Sequence, residues 1–274
     1  MLPRLIHLST INHPEIQQDI SKCFASLTAN ADNHISVFGG AEIKAILRLA
    51  ESIEENCRRD ALVSLGNLAV NAKNQLMITK IGGLAGIGQS LESEFESCQR
   101  FACRVLYRLT AHAEIQVQVV ESGVIPSVNR LAHSPHPLIR KFAVMALCNV
   151  AANIDNHIRL AKLGSISALI DALKDKEDVV VRYATMALTN LATNIDNQII
   201  IPKLGGLSPL IDIAGQDGAE SSRYAGMAIA NLSSNRQNRP SIVELGGLSP
   251  ILKMSFATNV ETQRSAALAF YNLS

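Results

Sequence analysis

Side chains able to take part in binding chemistry recur every 41 residues along this chain, with no insertion between them. One such position, which we call the amide series, holds Asn67, Arg108, Asn149, Asn190, Asn231 and Asn272. Ser26 continues it toward the N-terminus. A side-chain amide offers both a donor and an acceptor, so it can hold the backbone of an extended peptide without reading that peptide's sequence. The alternative is that each Asn hydrogen-bonds the backbone of its own protein.

A basic side chain precedes each member of the amide series by eight residues. This basic series consists of Arg59, Arg100, Lys141, Arg182, Arg223 and Arg264. Ammonium and guanidinium groups form charge-assisted hydrogen bonds with carboxylates and phosphates. The series therefore predicts contacts with an acidic partner, or ion pairs with carboxylates and helix ends of the same chain, and the two are compatible.

Midway between these two series lies a mostly apolar one. It consists of Val63, Arg104, Met145, Met186, Met227 and Leu268. Because methionine is flexible and polarisable, its three methionines suit the apolar side chains of a partner, and packing between neighbouring helices explains them equally well. An aromatic series follows the basic series by one residue and consists of Phe101, Phe142, Tyr183 and Tyr224. We predict that these rings pack in the core, while the two Tyr hydroxyls need water or a partner.

One repeat departs from this pattern, because all three of its positions are arginine. They are Arg100, Arg104 and Arg108, at i, i+4 and i+8 of one predicted helix. Like charges at this spacing repel one another unless carboxylates or an anionic ligand face them. We predict that this patch, extended by Arg59 and Lys141, engages an Asp/Glu-rich or phosphorylated stretch of a partner. The alternative is an internal network with acids such as Glu94 or Glu96.

Three helices in each repeat must position these series. The longest is predicted at residues 221–233, where apolar residues fall at i, i+3, i+4 and i+7. These residues are Ala225, Ala228, Ile229 and Leu232. At 100° per residue, the basic, apolar and amide series lie roughly opposite this stripe and face solvent. A shorter first helix is predicted at 197–204, and Ser208 and Pro209 predict the cap and first residue of the second helix.

Glycine separates the first two helices in five repeats, where it lets one helix stop and the next start at a steep angle. These glycines are Gly82, Gly123, Gly164, Gly205 and Gly246. A second Asn series follows the end of the third helix and consists of Asn30, Asn71, Asn153, Asn194 and Asn235. Because Asn favours helix ends and tight turns, we predict that these residues cap and turn the chain between repeats.

Three helices per repeat, the intervening glycine, and Asn-Leu-Ala or Asn-Leu-Ser near the end of the third helix resemble the armadillo repeat. The motifs are Gly66-Asn67-Leu68-Ala69, Thr189-Asn190-Leu191-Ala192, Ala230-Asn231-Leu232-Ser233 and Tyr271-Asn272-Leu273-Ser274. The resemblance covers essentially the whole chain. It implies an all-α fold, an α-solenoid of three-helix repeats in a right-handed superhelix. It also implies that the third helices line a concave groove, in which the amide series holds an extended partner segment.

We expect one solenoid domain over residues 1–274. Its repeats are 1–31 (partial), 32–72, 73–113, 114–154, 155–195, 196–236 and 237–274 (truncated). Because natural solenoids finish with polar caps, we expect this chain to be a segment of a longer protein. Importin-α-type armadillo proteins place Trp at most positions of the apolar series, and this chain has no Trp. The resemblance is therefore to the β-catenin and vacuolar armadillo adaptor type.

The predicted function is a non-enzymatic scaffold or adaptor that binds an extended acidic or phosphorylated segment of a partner protein. The alternative is a structural component of a cytoskeletal, axonemal or membrane-tethered assembly that uses convex or end surfaces. No phosphate-binding Gly loop, His-Glu-x-x-His helix or nucleophile elbow occurs, so we expect no catalysis, cofactor or metal. A net charge of +1 argues against nucleic acid.

The predicted location is the cytoplasm. Five scattered cysteines without metal-ligand spacing favour a reducing compartment. No apolar run of about 18 residues occurs that could span a bilayer. Contact with membranes is therefore expected only through a partner or through a lipidated extension outside this sequence.

Overall fold

The computed structural model describes residues 2–36, 38–216 and 220–274 of the chain, and these residues form helices and no strands. They divide into two compact units, Met1–Leu131 and Ala132–Ser274. The first unit contains α1 (Leu2–Leu8), α2 (Pro14–Thr28), α3 (Asn33–Ser36), α4 (Gly40–Ala50), α5 (Glu55–Leu68), α6 (Ala72–Lys80), α7 (Gly83–Leu91), α8 (Glu96–Thr110), α9 (Ala113–Glu121) and α10 (Ile125–Leu131). The second contains α11 (Pro137–Ala151), α12 (His157–Lys162), α13 (Ser165–Ala172), α14 (Asp178–Leu191), α15 (Asn197–Lys203), α16 (Leu207–Ala214), α17 (Glu220–Ser233), α18 (Arg239–Glu244), α19 (Leu248–Ser255) and α20 (Val260–Leu273).

The longest helix of each repeat packs against its counterpart in the next repeat, and we call these the third helices. In the first unit they are α2, α5 and α8, and α5 packs against both of the others. In the second unit they are α11, α14, α17 and α20, and each packs against the next. The core therefore runs along the stacked third helices inside each unit.

The predicted apolar stripe faces this core. In α17, Ala225, Ala228, Ile229 and Leu232 are fully buried, as the 3.6-residue periodicity predicts. The same positions of α14, Ala184, Ala187, Leu188 and Leu191, are also fully buried. Because two of the four positions are alanine, the third helices approach one another closely. The opposite side of each third helix, which carries the basic, apolar and amide series, is left toward solvent.

The five predicted glycines all adopt the left-handed conformation, with φ between 81° and 89°. This confirms that they reverse the chain between the first and second helices. The predicted cap at Ser208 is wrong, because α16 begins at Leu207 with Gly206 as its N-cap residue. The left-handed Gly205 turns the chain at once, and the Gly206 N–H donates to the Ile201 carbonyl at 2.9 Å. The helix therefore starts early enough to bury Leu207, and Pro209 is its third residue.

The second Asn series caps the turns between repeats, as predicted. The Oδ1 atoms of Asn71 and Asn235 accept backbone N–H groups two residues ahead, at 2.9 Å and 3.0 Å. Asn30, Asn153 and Asn194 do the same at 3.0 Å. Each such bond satisfies a donor at a helix start that otherwise has no intrahelical partner.

Sequence reasoning missed a further series of side chains, which bond backbone carbonyls at the C-terminal ends of the third helices. Its side chains lie within hydrogen-bond distance of a backbone carbonyl six residues earlier, at 2.7–3.1 Å. They are His34, Gln75, Gln116, His157, Gln198 and Arg239. In His157 this contact is Nε2 to the Ala151 carbonyl, 2.9 Å. Three residue types occur at this position, yet all present an N–H to the same orphan carbonyl.

A buried Asn beside this series joins successive repeats. Asn238 Nδ2 donates to the Leu232 carbonyl at 2.9 Å and to the Gln198 carbonyl, 40 residues earlier, at 2.8 Å. Asn74 Nδ2 makes the equivalent link to the His34 carbonyl at 2.8 Å. These bonds fix the register of α6 on α3 and of the turn before α18 on α15.

No single helix in the described residues is long and apolar enough to cross a bilayer. Pro137–Ala151 and Ile154–Lys162 meet the length and composition test only when taken together, across a bend of 106°.

Candidate functional site

The basic, apolar and amide series lie on the solvent side of the third helices, and we call this side the ladder face of each unit. In the first unit, α5 contributes Arg59, Val63 and Asn67, while α8 contributes Arg100, Arg104 and Arg108, and all six are half-buried. In the second unit the residues are Lys141, Met145, Asn149, Arg182, Met186, Asn190, Arg223, Met227, Asn231, Arg264, Leu268 and Asn272. Most are half-buried, but Met145 and Asn272 are buried, while Arg264 and Leu268 are exposed.

The amide nitrogens of the ladder face hold neighbouring third helices together. Asn231 Nδ2 donates to the Thr189 carbonyl on α14 at 3.2 Å, and Asn67 Nδ2 lies 3.4 Å from the Thr28 hydroxyl oxygen on α2. Asn272 Nδ2 donates to the Ser233 hydroxyl on α17 at 3.0 Å. Within the described residues, Oδ1 of Asn67 and Asn231 has no protein donor. These amides therefore bond their own protein and still present an acceptor to solvent.

Several members of the basic series have a carboxylate beside them. Arg182 Nη1 lies 2.7 Å from Glu220 Oε2, and this hydrogen bond raises the pKa of Arg182. Arg223 Nη2 lies 4.0 Å from the other oxygen of Glu220. In the first unit, Arg59 Nη2 lies 2.9 Å from Asp60 Oδ1. The chain's own acids thus partly neutralise these positions.

The three arginines of α8 differ from the rest of the basic series. Among the ion pairs found for the described residues, none includes Arg100, Arg104 or Arg108. Arg108 Nη1 donates to the Gly66 carbonyl on α5. Arg104 Nε and Nη2 and Arg100 Nε are buried without a hydrogen-bond partner.

Burial lowers the pKa of the Arg104 guanidinium below its ordinary value, and the positive charges of Arg108 and Arg100 lower it further. Burial also lowers the pKa of Arg108. Both shifts have the sign expected for cations that are desolvated and placed beside one another.

The aromatic series supports the basic series. The prediction that its rings pack in the core is wrong, because Phe101, Phe142, Tyr183 and Tyr224 are all half-buried. The Arg182 and Arg223 guanidinium carbons lie 5.1 Å and 4.6 Å from the centroids of the following Tyr rings. Those of Arg100 and Arg104 lie 4.6 Å and 4.9 Å from the Phe101 centroid. Cation–π stacking therefore orients the basic side chains on this surface.

Members of the apolar series differ in how far they are buried. Met145 is buried, whereas Met186 and Met227 are half-buried and Leu268 is 45% exposed. Met145 is therefore covered by its own protein, whereas Met186 and Met227 keep part of their surface open to a partner.

The described residues contain no cluster of three or more His, Cys, Asp or Glu side chains arranged to hold a metal ion. All five cysteines are free thiols, and burial raises the pKa of Cys103 and of Cys148 to about 12.

Residues 102–212 match the family model described as Cnd1, non-SMC mitotic condensation complex subunit 1. The comparison with curated proteins found no match. Among solved structures, a crystal structure of an engineered protein is 24% identical and has a TM-score of 0.90, covering 99% of this chain and 68% of that one. A designed armadillo repeat protein in complex with the peptide (KR)4 is 24% identical with a TM-score of 0.76, covering 85% of this chain and 100% of that one.

A structure described as "A conserved phosphorylation switch controls the interaction between cadherin and beta-catenin in vitro and in vivo" is 20% identical, with a TM-score of 0.87. It covers 100% of this chain and 52% of that chain, so the present sequence spans about half of its length. These likenesses show that the chain has the armadillo-repeat fold, as its Asn-Leu-Ala and Asn-Leu-Ser motifs predicted.

Proposed function

We propose that this armadillo-repeat chain is a non-enzymatic protein-interaction scaffold, which binds an extended segment of a partner protein along the ladder face. The observation that carries the proposal is the amide series, in which Asn67 and Asn231 keep a side-chain oxygen on the solvent side that accepts from no donor of the described residues. The solved structures support it by analogy, since one neighbour is a designed armadillo protein with a bound peptide and another is described by the interaction between cadherin and β-catenin.

The spacing of the third helices suits an extended peptide. Packed helices lie about 8–10 Å apart, and an extended chain rises about 3.3 Å per residue. One position of the amide series therefore recurs about every third residue of the peptide within each unit. Backbone recognition of this kind holds the peptide's path and leaves the choice of sequence to the neighbouring side chains.

We propose that the partner segment is acidic. The peptide (KR)4 in the designed neighbour is basic, whereas the ladder face of this chain carries a basic series, and the three arginines of α8 form no ion pair with the described acids. Opposite charge on the partner would speed association and suppress wrong partners. We further propose a cytoplasmic location, with any membrane contact made through the partner.

A second candidate function is a structural role in a larger cytoskeletal or membrane-tethered assembly. The observation that favours it is the exposed apolar surface of α19, α20 and the turn between them, where Leu252, Phe256 and Tyr271 are 53%, 80% and 79% exposed. A surface of this kind, which lies outside the ladder face, suits contact with another protein.

A peptide selection followed by matched variants would test the scaffold proposal. Random 12-residue peptides would be selected against the full chain, and the affinity of the selected peptides would be measured by fluorescence anisotropy. We expect the double variant Asn67→Ala/Asn231→Ala, which removes one amide from the ladder face of each unit, to weaken binding by about fivefold, because a lost hydrogen bond is worth about 0.5–1.5 kcal/mol. The control is Asn12→Ala, at an exposed position outside the ladder face.

Peptides that bind the wild type and the double variant equally well would place the binding surface elsewhere and contradict the proposal. Thermal unfolding of all variants would show that a loss of binding does not reflect a loss of fold.

A further inference from the structure

The guanidinium groups of Arg100, Arg104 and Arg108 are gathered at one point of the ladder face, and we call them the arginine cluster. Arg100 and Arg104 stack on the same ring, that of Phe101. Arg104 and Arg108 both contact the same residue of the preceding third helix, Gly66. Three side chains that start from successive turns of α8 are thus drawn together.

Gly66 is the residue that makes room for this arrangement. A Cβ atom at this position would lie 3.0 Å from Arg104 Nη2 and 3.2 Å from Arg104 Nε. The same repeat position carries a side chain in the later repeats, as Tyr107, Cys148, Thr189, Ala230 and Tyr271. Because residue 66 has no side chain, a space remains beside α5 that the Arg104 guanidinium occupies, and we call this space the seat of Arg104. The Gly66 carbonyl accepts a hydrogen bond from Arg108 beside it.

The cluster is unfavourable in the free protein. Like charges are held together, Arg104 has two buried nitrogens without partners, and no carboxylate of the described residues neutralises the group. A buried cation without a partner destabilises a protein by more than an exposed ion pair stabilises it. Unfavourable local arrangements of this kind are expected at functional sites. An anion bound from outside the chain would neutralise the repulsion between these arginines.

We propose that the arginine cluster binds one phosphorylated side chain of the partner segment, an inference that rests on the function proposed above. A segment that passes from one third helix to the next crosses α8 at one place, so the three arginines face a single residue of it. A carboxylate offers that place one charge and two oxygens. A phosphate group offers a charge of about −1.5 to −2 and three acceptor oxygens, which matches three guanidinium groups.

The available nitrogens suit this ligand. In Arg104, Nε and Nη2 are buried against Gly66, so Nη1 is the nitrogen that meets a ligand without rearrangement. In Arg108, Nη1 is engaged by the Gly66 carbonyl, which leaves Nε and Nη2. In Arg100, Nε is buried and the two terminal nitrogens remain. Each arginine is therefore fixed by one part of its guanidinium and offers another.

Three peptide pools would test the inference. Each pool has 12 residues with random flanks and differs only at one central position, which is serine, glutamate or phosphoserine. We expect the full chain to bind the phosphoserine pool about tenfold more tightly than the serine pool, since charge-assisted hydrogen bonds contribute most of the difference. The glutamate pool should fall between them.

Two variants address the cluster in different ways. Arg104→Met/Arg108→Asn restores the residues found at these positions in three other repeats, and we expect it to abolish the preference for phosphoserine. Gly66→Ala keeps every charge but removes the seat of Arg104, and we expect it to reduce the preference severalfold without affecting the serine pool. Lys73→Gln/Lys80→Gln is the control, because it removes two charges of the same unit outside the ladder face.

Binding of all three pools with equal affinity, or a phosphoserine preference that survives in Arg104→Met/Arg108→Asn, would overturn the phosphate site. In both cases, loss of pool binding in Asn67→Ala/Asn231→Ala would leave the scaffold function standing. Failure of the wild type to bind any pool would contradict the scaffold function and the phosphate site together.

Discussion

Arg104 shows how a single side chain can serve binding at the expense of stability. Its counterparts at this position are methionine in three repeats, and a methionine would keep the packing of the side-chain stem without a charge. The arginine instead buries two unpartnered nitrogens between Arg100 and Arg108. A residue selected for the fold alone would not take this form.

We expect Arg104→Met to stabilise the folded chain by about 1 kcal/mol, because replacing a buried, unpaired charge by an apolar side chain is commonly neutral or favourable. Loss of the stacking on Phe101 offsets part of the gain. Urea unfolding followed by circular dichroism would measure the change. Arg182→Met is the comparison, since it removes an arginine paired with Glu220 and should give no gain. A destabilised Arg104→Met protein would show that Arg104 has a stabilising partner.

His157 makes the stability of the second unit depend on pH. Burial lowers the pKa of His157 below 6.5, and Nδ1 is buried with no hydrogen-bond partner while Nε2 contacts the Ala151 carbonyl. Protonation would leave a buried N–H without an acceptor. Because the folded pKa is depressed, the stability from the neutral ring is present above pH 6.5 and is lost as the pH falls through the folded pKa.

His157→Gln should remove this dependence while keeping the carbonyl hydrogen bond, as Gln198 does at 3.1 Å in the next repeat. We expect the wild type to lose more free energy of unfolding than the variant between pH 7.5 and pH 5. Chemical unfolding at several pH values would measure both. Parallel pH profiles would mean that His157 does not titrate across folding.

Between elements, the repeats are joined by buried side-chain amides as well as by apolar contacts. Asn238 belongs to the turn between α17 and α18 and bonds two carbonyls from different repeats. The Gln198 carbonyl lies four residues before Pro202, which has no N–H to donate to it, whereas the Leu232 carbonyl also accepts the Asn235 N–H at 3.3 Å. The Asn238 amide therefore couples this repeat to the one before it.

We expect Asn238→Ala to destabilise the chain by about 1–3 kcal/mol, the penalty for leaving buried polar groups unsatisfied. Gln237→Ala is the matched control, because Gln237 is exposed and contributes only its backbone N–H to the turn. Thermal and urea unfolding would compare the two. An equal effect of both changes would indicate that helix propensity, and not the amide, determines the stability of this turn.

The local sequence pattern predicted the helices of this fold, but it did not predict most of the hydrogen-bond partners of the polar side chains. Periodicity located α17 to within one residue, and the glycines at 41-residue spacing marked five turns between first and second helices. The early start of α16 was missed, because the left-handed Gly205 turns the chain before Ser208, the residue predicted as the N-cap. The carbonyl-binding series was missed because His157, Gln198 and Arg239 share no residue type and only their geometry unites them.

The arginine cluster was likewise predictable from the sequence only in part. The spacing of Arg100, Arg104 and Arg108 was visible in the sequence, and so was the need for a neutralising group. The seat at Gly66 was not visible, because it depends on contacts with α5 that lie about 40 residues away in the chain. Sequence periodicity predicts which side of a helix a residue occupies, and packing decides which residue it meets there.

For the chain as a whole, stability in a repeat protein is a sum of repeat and neighbour-interface contributions. Equivalent apolar positions are not buried equally in every repeat. Leu252 and Tyr271 are 53% and 79% exposed, whereas their counterparts one repeat earlier, Ile211 and Ala230, are 6% and 1% exposed. The exposed side chains of α19 and α20 thus form an apolar surface at positions that the preceding repeat buries.

Exposed apolar surface of this kind promotes association, and we expect the 274-residue chain to self-associate weakly as its concentration rises. Leu252→Gln/Tyr271→Gln should weaken that association by roughly tenfold, about 1.4 kcal/mol, with little change in the unfolding temperature, because neither side chain is buried. Ile195→Gln/Ile199→Gln is the control, since these residues are 71% and 47% exposed on α15 and the turn before it. Sedimentation velocity over a concentration series would measure each protein. If the control dissociates the protein as effectively as the test variant, the association surface does not lie on α19 and α20.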